Sequence, residues 1–371
     1  MTTPDHDPRQ PSQTDQPESE VAIQEATTQD DPPLFEKCHR FFDPSGDYAR
    51  VKEADLYPYF RPIEESEGSR AVMNGNELVM AGSNNYLGLT ADPRVKEAAQ
   101  EATAKYGTGC TGSRFLNGTL DLHLELEERL ADFMGKEKAV LFSTGYMTNE
   151  GVLEAVAGRG DIIFSDKDNH ACINAGAQKS LAETRRYRHN DFDHLRTMLE
   201  RAHDERPDAG KLIATDGVFS MSGKIARVPE LLDLADEFDA ALMLDDAHAI
   251  GVVGPGGRGS ASTFGRKDDV HLITGTFSKS FASIGGFCVG DRDVVEYIRH
   301  KASTHVSSDF RTVATVDGGI DALKTCVDAL WRMYSTTSRS PTQNPPIEEI
   351  GRASCRKECA SMCRSRWSPY H

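Results

Sequence analysis

The stretch Leu272-Ile273-Thr274-Gly275-Thr276-Phe277-Ser278-Lys279 begins as an apolar run and ends in a lysine. A short apolar run bounded by glycine is typical of a buried strand, so Lys279 is expected just beyond a strand end. Thr276 and Ser278 place hydroxyl groups shortly before the amine, where they could bind a phosphate. Lysine amines condense with carbonyl groups when they are held nearby and partly desolvated. On this motif alone, the alternative is that Lys279 is an ordinary exposed lysine in a loop.

More apolar runs of this kind lie on both sides of the stretch: Ala139–Ser143, Ile162–Ser165, Leu212–Thr215, Ala241–Leu244 and Gly286–Val289. Helical patterns separate several of them, for example Phe192–Ala202 and Pro229–Phe238, and Asp92 can cap an earlier helix. Because the runs are apolar throughout, they suit strands that are covered on both faces. The pattern predicts an α/β domain with a mostly parallel sheet, whose ligand lies beyond the carboxyl ends of the strands.

Polar residues follow another of these runs. Asp245 and Asp246 come directly after Leu244, and His248 follows. A carboxylate at a strand end could pair with a protonated pyridine nitrogen. In a pyridoxal cofactor, such pairing keeps the nitrogen protonated, so that the ring can accept electrons. The histidine could then bond the ring hydroxyl or a substrate. The alternative is a helix capped by Asp246 with a surface histidine.

Two further segments come after strands in the same way. The segment Ser143–Asn149 opens a helix, and backbone N–H groups at a helix start favour phosphate. His170 follows the run Ile162–Ser165, and its flat imidazole could stack on an aromatic ring. The alternatives are an ordinary capped turn for the first segment and a structural loop histidine for the second.

Composition narrows the function classes. The 371 residues carry a formal net charge of −16, which argues against nucleic acid or anionic membrane surfaces as partners. We find no apolar run long enough to be an integral membrane segment, and the acidic N-terminus is unlike a secretory signal. Scattered cysteines suit reduced thiols, so a cytoplasmic location is expected.

The ends of the chain differ in composition from its middle. We expect a disordered polar tail at 1–33, an N-terminal segment at 34–90 and the large domain at 91–304. Residues 337–371 differ in composition from the preceding sequence and are expected to be a foreign tail. Cys355, Cys359 and Cys363 would share one helical face there, but without a CxxC pair we expect no metal site.

Taken together and in order, these motifs resemble the α-oxoamine synthase family of fold-type I enzymes that use pyridoxal 5'-phosphate (PLP). The motifs Leu56–Arg61, Gly107–Thr119 and Gly275–Ser280 are most similar to the bacterial serine palmitoyltransferase branch. The resemblance implies the PLP-dependent transferase fold type I, with a mostly parallel sheet of the seven-stranded type covered by helices. It also implies that 305–336 is the remnant of a truncated C-terminal domain, so the arginine that grips the substrate carboxylate is not assigned.

The resemblance implies catalytic roles for Lys279, Asp245, His248 and His170. Lys279 matches the lysine that holds the cofactor covalently and later moves a proton. Asp245 matches the partner of the pyridinium nitrogen, His248 the histidine near the ring oxygen, and His170 the stacking histidine.

Further matches concern binding. Ser220 matches a second group near the ring oxygen, and the matched phosphate contacts are Gly145, Tyr146, Thr276 and Ser278. Asn84 matches the asparagine that helps to position the amino-acid substrate.

The expected activity follows from the same resemblance. It is condensation of L-serine with the long-chain acyl-CoA palmitoyl-CoA, with decarboxylation to 3-ketosphinganine for sphingolipid biosynthesis, by a homodimer. The alternatives are 8-amino-7-oxononanoate synthase, glycine C-acetyltransferase, or an inactive truncated relative.

Overall fold

The computed structural model describes residues 32–306, and these residues fall into two units that divide between Pro62 and Ile63. The predictions for residues 1–31 and 307–371 lie outside the described residues. They cover most of the polar tail, the remnant of the C-terminal domain and the foreign tail. The other domain boundaries stay predictions.

The smaller unit contains a 3-10 helix (Pro33–Phe35) and two short helices, α1 (Glu36–Phe41) and α2 (Asp47–Glu53). Its aromatic rings pack edge to face, with 5.0 Å between the ring centroids of Phe42 and Tyr48. No residue between 32 and 62 is buried. The rings therefore form an exposed cluster and not a core.

The larger unit begins with a small antiparallel sheet of three strands, β1 (Glu65–Glu67), β2 (Arg70–Met73) and β3 (Asn76–Val79). The main sheet has seven strands in the order β4-β10-β9-β8-β7-β5-β6. Their bounds are β4 (Lys138–Phe142), β5 (Ile162–Asp166), β6 (Glu183–Tyr187), β7 (Lys211–Asp216), β8 (Ala241–Asp245), β9 (Leu272–Thr276) and β10 (Gly286–Gly290). The pairings among β5 to β9 are parallel, and β10 runs antiparallel to both β9 and β4.

Helices cover both faces of this sheet. They are α3 (Pro93–Tyr106), α4 (Asp121–Met134), α5 (Gly145–Val156), α6 (Ala171–Lys179), α7 (Phe192–Glu205), α8 (Val228–Glu237), α9 (Ser260–Thr263), α10 (Arg292–Lys301) and α11 (Ser303–Val306). Short 3-10 helices span Leu89–Ala91 and Pro255–Gly257. Successive strand residues belong to different cores: Leu141 shares one core with residues of α4, α7 and α8, and Phe142 shares the other with residues of α5, α6 and α10. The central strands are therefore largely apolar because both of their faces are buried.

The prediction of a mostly parallel α/β sheet of seven strands is confirmed. Each predicted apolar run is a strand in the structure, with ends that coincide or differ by at most two residues. Asp92 caps α3 as predicted, because its side chain accepts a hydrogen bond from the Arg94 backbone N–H at 2.9 Å. Strand β6 was not predicted, since its sequence Glu-Thr-Arg-Arg-Tyr is polar and lies at the sheet edge.

Within residues 32–306, no helix has the length and the apolar character needed to cross a membrane.

Candidate active site

A cavity of about 330 Å³ opens at the carboxyl ends of the parallel strands. It gathers every predicted site residue except Asn84, and it includes Cys172 and Asp216, for which no role was predicted. The predicted residues along its wall are Gly145, Tyr146, His170, Ser220, Asp245, His248, Thr276, Ser278 and Lys279. These residues come from the ends of different strands, so the parallel sheet brings them together.

Lys279 lies in the loop that joins β9 to β10. The base of this loop is closed, because Gly286 pairs with Thr276 and the Phe277 N–H donates to the Gly285 carbonyl at 3.0 Å. Partial burial lowers the pKa of the Lys279 amine, although nearby Asp245 and Asp216 offset part of that effect. A lysine with a lowered pKa supplies more of the unprotonated amine that attacks a carbonyl carbon.

Asp245 ends β8 with its carboxylate held at both oxygens. The Asn149 side-chain amide donates to Oδ2 at 2.6 Å, and the Ala247 backbone N–H donates to Oδ1 at 2.9 Å. Charge-assisted hydrogen bonds of this kind hold a buried carboxylate in one orientation. Asp245 can therefore face a cationic ring nitrogen in the cavity.

Asp216 ends β7 directly beside Asp245, since the two residues are paired in the parallel register. The His170 backbone N–H donates to Asp216 Oδ2 at 3.0 Å. Burial, and then the charge of Asp245, raise the pKa of Asp216 well above its usual value. Two adjacent carboxyl groups in a buried site oppose each other's ionisation, so Asp216 holds its proton to a higher pH than an isolated aspartate does.

His170 caps the start of α6, and its ring contacts Cys172. The Cys172 backbone N–H donates to His170 Nδ1 at 3.3 Å, and the Cys172 Sγ lies 2.8 Å from the same nitrogen. Because a backbone N–H can only donate, Nδ1 is the acceptor and the ring proton lies on Nε2. Burial of part of the side chain, and then the Lys279 charge, lower the His170 pKa, while Asp245 opposes them. The ring is a neutral, flat surface at the cavity wall.

His248 is bound by Tyr86, whose hydroxyl lies 2.6 Å from His248 Nδ1 and 3.2 Å from Asn84 Oδ1. Burial, and then the charge of Lys279, lower the pKa of His248 to about 3. Burial also raises the pKa of Tyr86, so its hydroxyl keeps its proton. The hydroxyl donates that proton to Asn84 Oδ1, and the direction of the Tyr86–His248 hydrogen bond follows the imidazole tautomer. Asn84 is thus joined to the site through Tyr86, which the sequence analysis missed.

The start of α5 forms a small polar cradle. Thr276 Oγ1 and Ser278 Oγ lie 2.8 Å apart, and a side chain built on Gly145 would come within 2.9 Å of Thr276 Oγ1. Helix-start N–H groups beside hydroxyl groups fit a phosphate, and glycine lets the backbone approach it closely. With a lysine amine, an anchored carboxylate and a flat imidazole at the same cavity, the described residues fit PLP.

Comparisons with known proteins agree with this fit. A model of the aminotransferase class I and II family matches residues 77–330, and the chain belongs to that family. Serine palmitoyltransferase of Sphingobacterium spiritivorum is 51% identical over 274 residues, 74% of this chain and 68% of that protein. The 8-amino-7-oxononanoate synthase of Geobacter sulfurreducens is 44% identical over 265 residues, 71% of this chain and 67% of that protein.

A solved serine palmitoyltransferase from S. paucimobilis, a variant with a bound PLP–myriocin aldimine, matches with a TM-score of 0.75. It is 32% identical, and the match covers 81% of this chain and 75% of that one. The resemblance to α-oxoamine synthases, and to serine palmitoyltransferases among them, is confirmed. The roles of the individual site residues stay predictions.

Proposed function

We propose that this chain is a PLP-dependent C-acyltransferase that condenses L-serine with palmitoyl-CoA to give 3-ketosphinganine, carbon dioxide and CoA. The observation that carries the proposal is the cavity that gathers Lys279, Asp245, His170 and His248, in a chain whose relatives include serine palmitoyltransferases. The cofactor is PLP. When bound, it supplies an aldehyde that condenses with amines and a ring that accepts the electrons released at the substrate α-carbon.

Lys279 supplies the reactive amine. Its Nζ would hold the cofactor covalently and, once serine has displaced it, would take the serine α-proton and later return a proton to the same carbon. The new carbon–carbon bond joins the serine α-carbon to the palmitoyl carbonyl carbon. The thioester C–S bond breaks as CoA leaves as a thiolate, which takes a proton from solvent, and the bond from the α-carbon to the serine carboxylate breaks as carbon dioxide leaves.

The other cavity residues would bind and orient the cofactor. Asp245 would pair with the ring nitrogen of the cofactor, and the flat ring of His170 would stack on it. His248 and Ser220 would contact the ring oxygen.

Residues at the start of α5 and at the end of β9 would hold the phosphate, and Asn84 would contact the amino acid. Gly145, Tyr146, Thr276 and Ser278 bind the phosphate. Asn84, which contacts the Tyr86 hydroxyl, helps to position serine.

We also propose that the chain acts as a homodimer, on the strength of the family resemblance alone. Light scattering on the purified protein measures the mass directly, and a mass of one chain at working concentration would count against it. The cytoplasmic location stays a prediction from the sequence.

Borohydride reduction of the protein with PLP, followed by peptide mass spectrometry, tests the cofactor site. We expect PLP on Lys279, and we expect Lys279→Ala to lose both that adduct and the visible absorption of attached PLP. Lys96→Ala is the matched control, because Lys96 is exposed on α3. An adduct that persists in Lys279→Ala would refute the assignment.

Substrate preference is tested by CoA release with serine, alanine and glycine, each with palmitoyl-CoA. Serine should be preferred. The similarity to 8-amino-7-oxononanoate synthases favours these enzymes as the second candidate. A preference for alanine would support that candidate, and a preference for glycine would support a glycine C-acetyltransferase.

A further inference from the structure

We propose that Asn149 and Thr274 are positioning residues that hold the Asp245 carboxylate in place for the cofactor ring. The inference rests on the proposed function, because it takes Asp245 to be the group that faces the ring nitrogen. Neither Asn149 nor Thr274 is among the described residues that line the cavity, so both would act through Asp245.

The three side chains form two consecutive hydrogen bonds that link three elements of the fold. Thr274 in β9 donates its hydroxyl to Asn149 Oδ1 at 2.7 Å. Asn149 in α5 donates its Nδ2 to Asp245 Oδ2 at 2.6 Å. The exposed fractions are 1% for Thr274, 2% for Asn149 and 6% for Asp245, so water competes little with these bonds.

The hydroxyl of Thr274 fixes which way the Asn149 amide points. Because the hydroxyl donates to the amide oxygen, the amide nitrogen must face Asp245. The same nitrogen lies 3.1 Å from Cys172 Sγ, which gives its second hydrogen an acceptor. Without the hydroxyl, the amide is free to rotate and present its oxygen to the carboxylate, which is a repulsive contact.

These hydrogen bonds also distinguish Asp245 from the neighbouring carboxyl group of Asp216. Asp245 and Asp216 lie side by side at the ends of β8 and β7. Asp245 receives a donor on each oxygen, whereas among the described residues Asp216 receives its donor on Oδ2 alone. Hydrogen bonds to both oxygens hold a carboxylate in one orientation, so Asp245 is the more firmly anchored of the two. Loss of the Asn149 donor would leave the Asp245 carboxylate less firmly oriented towards the ring nitrogen.

The test compares Thr274→Val with Thr274→Ser. Valine replaces the hydroxyl by a methyl group of similar shape, and serine keeps the hydroxyl. Two quantities are measured: the dissociation constant of PLP, and the pH at which the visible absorption of the attached cofactor changes. Neither readout requires turnover.

We expect Thr274→Val to weaken PLP binding about tenfold or more, by analogy with the outer hydrogen-bond partners of metal ligands. Its absorption change should also move by about one pH unit, the scale of one lost charged interaction. Thr274→Ser should match the parent protein in both measurements. If Thr274→Val matches it as well, the positioning role is wrong.

Asn149→Asp gives an independent route if Thr274→Val does not fold. It keeps the side-chain size, removes the donor and places a carboxyl group against Asp245. A folded Asn149→Asp protein with unchanged PLP affinity would overturn the inference.

The outcome for the parent protein separates this inference from the proposed function. If PLP is found on Lys279 of the parent and Thr274→Val behaves like the parent, only the positioning role fails. If the parent carries no PLP on Lys279, the proposed function fails and takes this inference with it.

Discussion

Replacing Gly286 by alanine should separate the start of β10 from the start of α5. A side-chain carbon built on Gly286 would lie 2.7 Å from the Gly145 Cα, and it would also meet the Thr148 hydroxyl. Two carbon atoms in contact prefer about 3.5–4.0 Å, so the pair must move apart by about 1 Å. Gly145 belongs to the proposed phosphate cradle, so the substitution tests packing and binding together.

The magnitude follows from that displacement. Overpacking of a tightly packed interior usually costs about 1–3 kcal/mol of folding free energy. Backbone atoms on both sides limit relaxation here, so we expect the upper half of that range. A misplacement of about 1 Å at a functional site can cost roughly a hundredfold in function, and we expect PLP affinity to fall between about tenfold and a hundredfold.

Urea denaturation and a PLP titration measure the two effects. Gly158→Ala is the control, because a side chain there would have no atom within 4 Å. If Gly286→Ala and Gly158→Ala agree within about 0.5 kcal/mol in stability, the usual scatter of neutral substitutions, and bind PLP equally well, the close approach is not real.

Two other outcomes are expected. In an NMR titration, His248 should stay neutral down to about pH 3, because burial and then the Lys279 charge disfavour its charged form. Since the folded pKa lies below the usual 6.5, the unfolded chain binds the proton first as pH falls. The contribution of His248 to the free energy of unfolding is therefore fully present above pH 6.5 and is lost towards pH 3, at up to about 1.4 kcal/mol per pH unit. Titration of His248 near pH 6.5 would contradict this prediction. Iodoacetamide should label exposed Cys38 well before Cys172, because burial raises the pKa of the Cys172 thiol. Peptide mass spectrometry at successive times measures the two labelling rates, and equal rates would contradict this prediction.

The strands were largely predictable because burial on both faces makes them apolar throughout. Runs such as Ile162–Ser165 and Ala241–Leu244 needed only composition and length to be recognised. Strand β6 escaped because an edge strand can be polar: Arg185 and Arg186 make polar contacts at the surface, and Tyr187 is its one buried residue. Composition does not distinguish such a strand from a polar loop.

The cavity-lining residues were predictable because parallel strands end at one edge of a sheet. The residues that hold them were not, since their partners are distant in the chain. Tyr86 contacts His248 162 positions later, and Asn149 contacts Thr274 125 positions later. Thr274 did carry a weak signal, since it is a hydroxyl residue inside an apolar run two positions before Thr276, and alternate strand residues share a face.

The antiparallel pairing of β10 with β4 means that the cofactor site can form during synthesis only after β10 has been translated. Among the described strands, β4 hydrogen-bonds with β10 alone, yet β10 is translated about 140 residues later, a delay of roughly 7–30 s at ordinary elongation rates. During that interval the nascent chain exposes β4 without a neighbour. Chaperone dependence during synthesis should therefore centre on this early strand, and newly made chains should gain the ability to take up the vitamin only after Gly290 has left the exit tunnel.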